Sequence, residues 1–211
     1  MIGGYLTNTS SAVAVNSNTV TGTLHFLNST CFTAAQDIPV TGTISAAGAL
    51  SLTSSSISSQ VVTATGTISG SSMSAGSYSI AGGCGARDKG TVTGFLVPAF
   101  TNTYTGTFTS VSGKQVGATI TTTQTGPNSD GFYSVTGTAT FTSSPCFSTG
   151  TISTGAVTGS YLALQIATNN NGTVVFGGYD ADSTGKTVKG SYEVTSGLCN
   201  GDVGTGSVSH T

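Results

Sequence analysis

At 211 residues the chain is long enough for one large domain or two small ones, yet only 6% of it is charged and the net charge is −2. An ordinary soluble domain has about a quarter of its residues charged; Thr, Ser and Gly stand in their place here, and five basic residues cannot build the phosphate-neutralising face of a nucleic-acid binder. The regular supply of Val, Ile, Phe and Tyr argues against disorder, and no apolar run reaches the roughly 20 residues of a membrane-spanning helix.

The first residues, "MIGGYLTNTS", have no basic region and no apolar core, so they are not a signal peptide. The composition nevertheless reads as extracytoplasmic, secreted or cell-surface, with Met1 an added start and the native targeting segment absent from this chain. Helix formers are scarce: Glu193 is the one glutamate and Arg87 the one arginine. No window spaces its apolar residues helically, whereas Thr, Val and Tyr favour strands, so the chain is predicted all-β.

The first clear element is "VTGTLHFLNSTCF" (20–32), with Val20, Gly22, Leu24 and Phe26 facing inward and His25 among outward threonines. It returns as "VTGTATFTSSPCF" (135–147), where Val135, Gly137, Ala139 and Phe141 face inward. Likewise "GSYSIAGGCGARDKGTVTG" (76–94) returns as "GSYEVTSGLCNGDVGTGSV" (190–208). Paired motifs in the same order mean a duplicated module. The predicted units are 1–100 and 101–211, joined by the apolar stretch "GFLVPAF" (94–100), which is expected to pack between them and to end its strand at Pro98.

In the second copy, strands are predicted near 103–110, 115–124, 132–142, 149–153, 157–167, 172–180, 187–195 and 203–209, linked by hairpin turns. Eight short meandering strands form a small up-and-down antiparallel barrel, or a sandwich of that size. The inward glycines suit a sheet so curved that larger side chains would crowd the axis. In the first copy Ile2-Gly3 aligns with Val116-Gly117, so the counterpart of "TNTYTGTF" (101–108) is missing and two strand edges are left open for self-association.

Cys31 and Cys84 are separated by as many residues as Cys146 and Cys199. Four cysteines allow three connectivities; a self-contained duplicated unit favours Cys31–Cys84 and Cys146–Cys199. No close Cys/His pairs suggest zinc, and no metal or cofactor is expected. Asp88 and Asp202 match across the copies and are read as turn residues. Asp180 and Asp182 lack the ligand spacing of a calcium loop. The only histidines are His25 and His210, and no G-x-S-x-G motif or phosphate loop occurs, so no enzyme is expected.

The strings "YTGTF", "VTGTATFTSSPCF" and "GSYEVTSGLCNGDVGTGS" resemble the Thr/Gly-rich β-repeats of uncharacterised bacterial exported proteins and lipoproteins, of the sort found in Acidobacteria. That resemblance implies an exported β-module, with cysteines at the end of the third strand and before the last, and brings no activity or catalytic residues. The functional expectation is a structural or interaction module, such as a surface or filament subunit assembling by strand complementation. The alternative is a barrel carrier for a small apolar ligand, lined by Tyr104, Phe108, Phe141, Phe176 and Tyr192. A third reading is an ice-binding surface, set against by the irregular intervals between "TGT" triads.

Overall fold

A computed structural model of the chain describes residues 2–8, 17–26, 31, 37–70, 72–95, 97–128, 132–181 and 184–211. Every regular element among them is a strand. The chain divides into two compact units, Met1–Phe95 with Pro127–Gly131, and Leu96–Gly126 with Phe132–Thr211.

The first unit holds β1 (Ile2–Asn8), β2 (Ser17–Phe26), β3 (Asp37–Ser45), β4 (Ala49–Ser54), β5 (Val61–Ser69), β6 (Ser72–Ala81) and β7 (Lys89–Phe95). Each pairs antiparallel with the next, giving a seven-stranded open sheet in chain order. The second unit holds β8 (Asn102–Ser110), β9 (Gln115–Thr125), β10 (Tyr133–Thr142), β11 (Thr149–Thr158), β12 (Tyr161–Thr168), β13 (Thr173–Asp180), β14 (Thr187–Ser196) and β15 (Val203–Ser209). The same meander runs through it, and β15 pairs with β8 to close an eight-stranded barrel. Of the two architectures left open by the sequence, this unit is the barrel and not the sandwich.

Period-two alternation decides which side each strand buries. In β10, Val135, Ala139 and Phe141 are buried while Thr136, Thr138 and Thr140 are exposed. The outward hydroxyls meet across strands: Thr103 lies 3.1 Å from Thr121, Thr125 2.8 Å from Ser134, and, on the open sheet, Thr63 2.8 Å from Ser79. Such cross-strand pairs do the work that opposite charges do on other sheets.

The barrel encloses one continuous core that includes Phe100, Tyr104, Phe108, Phe141, Phe176 and Tyr192. Among its described residues the open sheet shows two small clusters instead, one around Ile38, Val62 and Ile80, the other around Val20, Leu50 and Leu52.

Four expectations need correction. The predicted break after Ser153 is not a turn. β11 runs on to Thr158, a bulge between Ile152 and Thr154 takes up one residue, and the chain turns at Gly159, whose φ is 58°. Gly155, which falls between the strands predicted near 149–153 and 157–167, is a strand position where a Cβ would collide with the backbone of Val135. The inward glycines also answer to a different constraint from crowding at the axis. At Gly106 and Gly137 a Cβ would strike the backbone carbonyl of the neighbouring strand, at Ser207 and Thr121. At Gly206 it would meet the core rings of Phe108 and Phe176, and at Gly204 that of Tyr192.

The alignment of β1 also shifts. Ile2 pairs with Phe26, and in the barrel the matching Phe141 pairs with Ala118, so Ile2 corresponds to Ala118 and not to Val116. A slip of two leaves the same side chains facing inward, which is why the pattern alone could not detect it. Finally, the second half of "GFLVPAF" belongs to the barrel: Phe100 is fully buried in its core and Val97 packs against it, while Leu96 lies outside the described residues.

Candidate functional site

The two ends of the barrel differ. At one end Phe100 fills the interior and donates its backbone N–H to Gln124 Oε1 at 2.7 Å. Beside it Tyr104 donates its hydroxyl to the carbonyl of Gly185 at 2.7 Å, and His210 sits edge-on to the Tyr104 ring at 5.2 Å. This end is plugged.

The other end is a mouth, formed by the β8–β9 turn, the β10–β11 loop and the β14–β15 loop. The disulfide Cys146–Cys199 ties two of these loops together, with a Cα–Cα distance of 5.9 Å. Asn170 reinforces the tie by donating to the carbonyl of Cys146 at 2.7 Å. Behind the loops lies a hollow of about 500 Å³, whose walls include Phe108, Val116, Phe147, Tyr192 and Asp202.

Three polar groups meet in it. Asp202, the residue before β15, accepts from Ser110 Oγ at 2.6 Å and from Tyr192 Oη at 3.0 Å. Burial pushes the Tyr192 phenol up to about 12, helped by its hydrogen bond to the Asp202 carboxylate and by that carboxylate's charge. Phe108 stacks on Tyr192 and Phe176 at 5.1 and 5.2 Å and holds the phenol in place. Strand β8 therefore contributes both the ring that packs on Tyr192 and the hydroxyl that satisfies Asp202.

Of the five residues expected to line a ligand pocket, Phe108 and Tyr192 stand in the wall of this hollow. Tyr104, Phe141 and Phe176 are core filling; Phe141 packs on Phe108 and Phe147 at ring distances of 6.4 and 4.8 Å. Asp202 is more than a turn residue, since its carboxylate joins β8 to β14. Sequence reasoning missed Ser110 altogether. The signal for the pair was present: Tyr and Asp stand ten residues apart in both copies, as Tyr78–Asp88 and Tyr192–Asp202.

The first unit holds the corresponding pieces without the strand. Cys31 and Cys84 are bonded, with a Cα–Cα distance of 5.4 Å. Tyr78 pairs with Gly90 as Tyr192 pairs with Gly204, so β7 corresponds to β15 residue by residue. Tyr78 Oη lies 3.5 Å from each oxygen of Asp88, a looser contact than its counterpart. Where Tyr192 faces Phe176 across the strands, Tyr78 faces Ala64. Among the described residues nothing occupies the place of β8, and β1 and β7 are edge strands.

The remaining candidates separate. Asp180 accepts the backbone N–H of Gly185 at 2.9 Å and so caps its own loop; Asp182 and the His25 side chain lie outside the described residues. No three His, Cys, Asp or Glu side chains gather to hold a metal among the described residues. No helix there is long and apolar enough to cross a membrane, which says nothing of strands. No protein-family model, curated protein or solved structure matches the chain.

Proposed function

We propose that the chain is a non-catalytic, extracytoplasmic structural and interaction module, a subunit of a surface assembly or filament that joins its neighbours by strand complementation. The observation that carries this reading is the pair of open edges, β1 and β7, flanking the position that β8 fills in the second unit. A seven-strand antiparallel meander ends on strands running in the same direction. Direct closure would require a parallel pair, whereas an eighth strand antiparallel to both restores the barrel pattern. Unpaired edges with few charges to guard them invite strand addition. Addition from one subunit to the next is heterologous and builds open filaments unless the rotation closes. Two disulfides are compatible with an extracytoplasmic location.

Analytical ultracentrifugation over a range of concentrations, with and without a peptide of residues 101–110, tests the reading. The expected result is a mass that rises with concentration and falls back to the monomer when excess peptide occupies the open position. A monomer at every concentration, indifferent to the peptide, would overturn it.

The hollow of about 500 Å³ at the barrel mouth favours a second reading, a carrier of a small apolar ligand, since pockets of roughly 300–1,000 Å³ suit such ligands. An apolar fluorescent probe whose binding is blocked by Phe147→Trp would support it. A probe that never binds would discard it.

A further inference from the structure

The barrel specifies what an eighth strand must bring to the open sheet, and this inference rests on the strand-complementation reading above. We infer that the first unit takes an extended partner segment of the β8 kind, with apolar and Gly positions alternating with hydroxyls, and that a Ser or Thr at the place of Ser110 completes the hydrogen bonding of Asp88.

The register follows from the pairs already present. In the barrel Ser110 lies opposite Gly204, Thr109 opposite Thr205 and Phe108 opposite Gly206. The matching β7 residues are Gly90, Thr91 and Val92. On the far side Gly106 lies opposite Ala118 and Tyr104 opposite Ile120, which correspond to Ile2 and Gly4 of β1. An incoming strand therefore runs antiparallel to both edges, with its Ser110-like residue beside Gly90 and its Gly106-like residue beside Ile2.

Two local facts give this register chemical content. Among the described residues the Asp88 carboxylate meets only the Tyr78 hydroxyl, 3.5 Å away, whereas that of Asp202 meets both Tyr192 and Ser110. The carboxylate thus keeps acceptor capacity directed where β8 would run, and a hydroxyl donor there makes a charge-assisted bond. The interior beside Tyr78 also has Ala64 where the barrel has Phe176, and among the described residues no strand supplies a counterpart of Phe108. In the β8 register a bulky apolar side chain from the partner would come in over Ala64, which packs against the Val20, Leu50 and Leu52 cluster. Val92 stands where Gly206 lets the Phe108 ring lie against the strand, so that side chain leans toward Ala64 and away from β7.

The test measures binding of fluorescein-labelled TNTYTGTFTS (residues 101–110) to the full chain by anisotropy. Three comparisons accompany it: the peptide with Ser110→Ala, a shuffled peptide of the same composition, and the protein with Asp88→Asn. The intact pair is expected to bind, and Ser110→Ala to weaken binding about tenfold, the size of a hydrogen bond to a charged group. Asp88→Asn is expected to weaken it by a similar factor and to erase the effect of Ser110→Ala, because both remove one interaction. Equal binding by the shuffled peptide, or no loss with Ser110→Ala, overturns the inference; the second needs no protein variant and so cannot be blamed on misfolding. A chain that self-assembles yet ignores the β8 peptide defeats this inference and leaves strand complementation standing. A chain that neither assembles nor binds any strand defeats both.

Discussion

The two units carry the same repeat and end in different states. Strands β9–β15 and β1–β7 run in the same order, each unit has its own disulfide between matching loops, and each keeps its Tyr–Asp pair. What separates them is one strand. β8 closes the barrel's hydrogen-bond ladder, inserts Tyr104 and Phe108 into the core, and gives Ser110 to Asp202. Without an equivalent, the described apolar residues of the first unit fall into two small clusters and Tyr78 stays half-buried. The lesson is that closure gathers the core as well as satisfying edge amides: the same alternating strands enclose a continuous interior only when the ring is complete.

That comparison can be broken most sharply at the disulfides. Each closes a long loop, about 4 kcal/mol in the chain-entropy model. Replacing Cys31 and Cys84 by Ser is expected to unfold the first unit, whose clusters are small, while Cys146→Ser with Cys199→Ser leaves a weakened but folded barrel. Two-step thermal unfolding followed by calorimetry reads the difference; equal losses from the two pairs would contradict the contrast in cores. Next comes Phe108→Ala. It removes a ring stacked on two others at the centre of the barrel core and should cost that unit about 3–5 kcal/mol, with no effect on the unfolding of the first.

Smaller effects sharpen the role of the mouth. Ser110→Ala removes one of the two hydroxyls on Asp202 and should cost about 1–2 kcal/mol by denaturant titration. The Tyr192 phenol gives a pH test of the same group. Its folded value, near 12, lies above its unfolded value of 10.0, so the folded state keeps a proton that the unfolded chain has lost. The associated stability is complete below pH 10 and is lost as the pH rises through 12. Ultraviolet titration should show a late phenol that is absent after Tyr192→Phe.

Much of this fold was legible because period-two patterning and hairpin turns are local signals. Seven of the eight predicted strands of the second copy begin within a residue or two of where they lie, and the repeat made the incomplete first copy visible. The exceptions are instructive. The β11–β12 boundary was misplaced because Gly155 allows a close strand crossing, and a glycine in the sequence carries the same letter whether it bends the chain or admits a neighbour. The two-residue slip of β1 was invisible because it preserves the inward face. The site was less legible than the fold. Tyr192 and Asp202 left a trace as a pair repeated in Tyr78 and Asp88, but Ser110 comes from 92 residues earlier in the chain. Only barrel closure brings it to Asp202, and no local pattern marks a residue that acts through closure.

Amide hydrogen exchange of the free monomer, read residue by residue, tests most directly whether one unit is closed and the other open. The outward-facing amides of β1 (Ile2–Asn8) and β7 (Lys89–Phe95) should exchange at nearly the rate of solvent-exposed chain, while their counterparts in β9 (Gln115–Thr125) and β15 (Val203–Ser209), covered by β8, stay protected. Equal protection of all four strands in the monomer would mean that the first unit is already closed, and the contrast on which the proposed assembly rests would be gone.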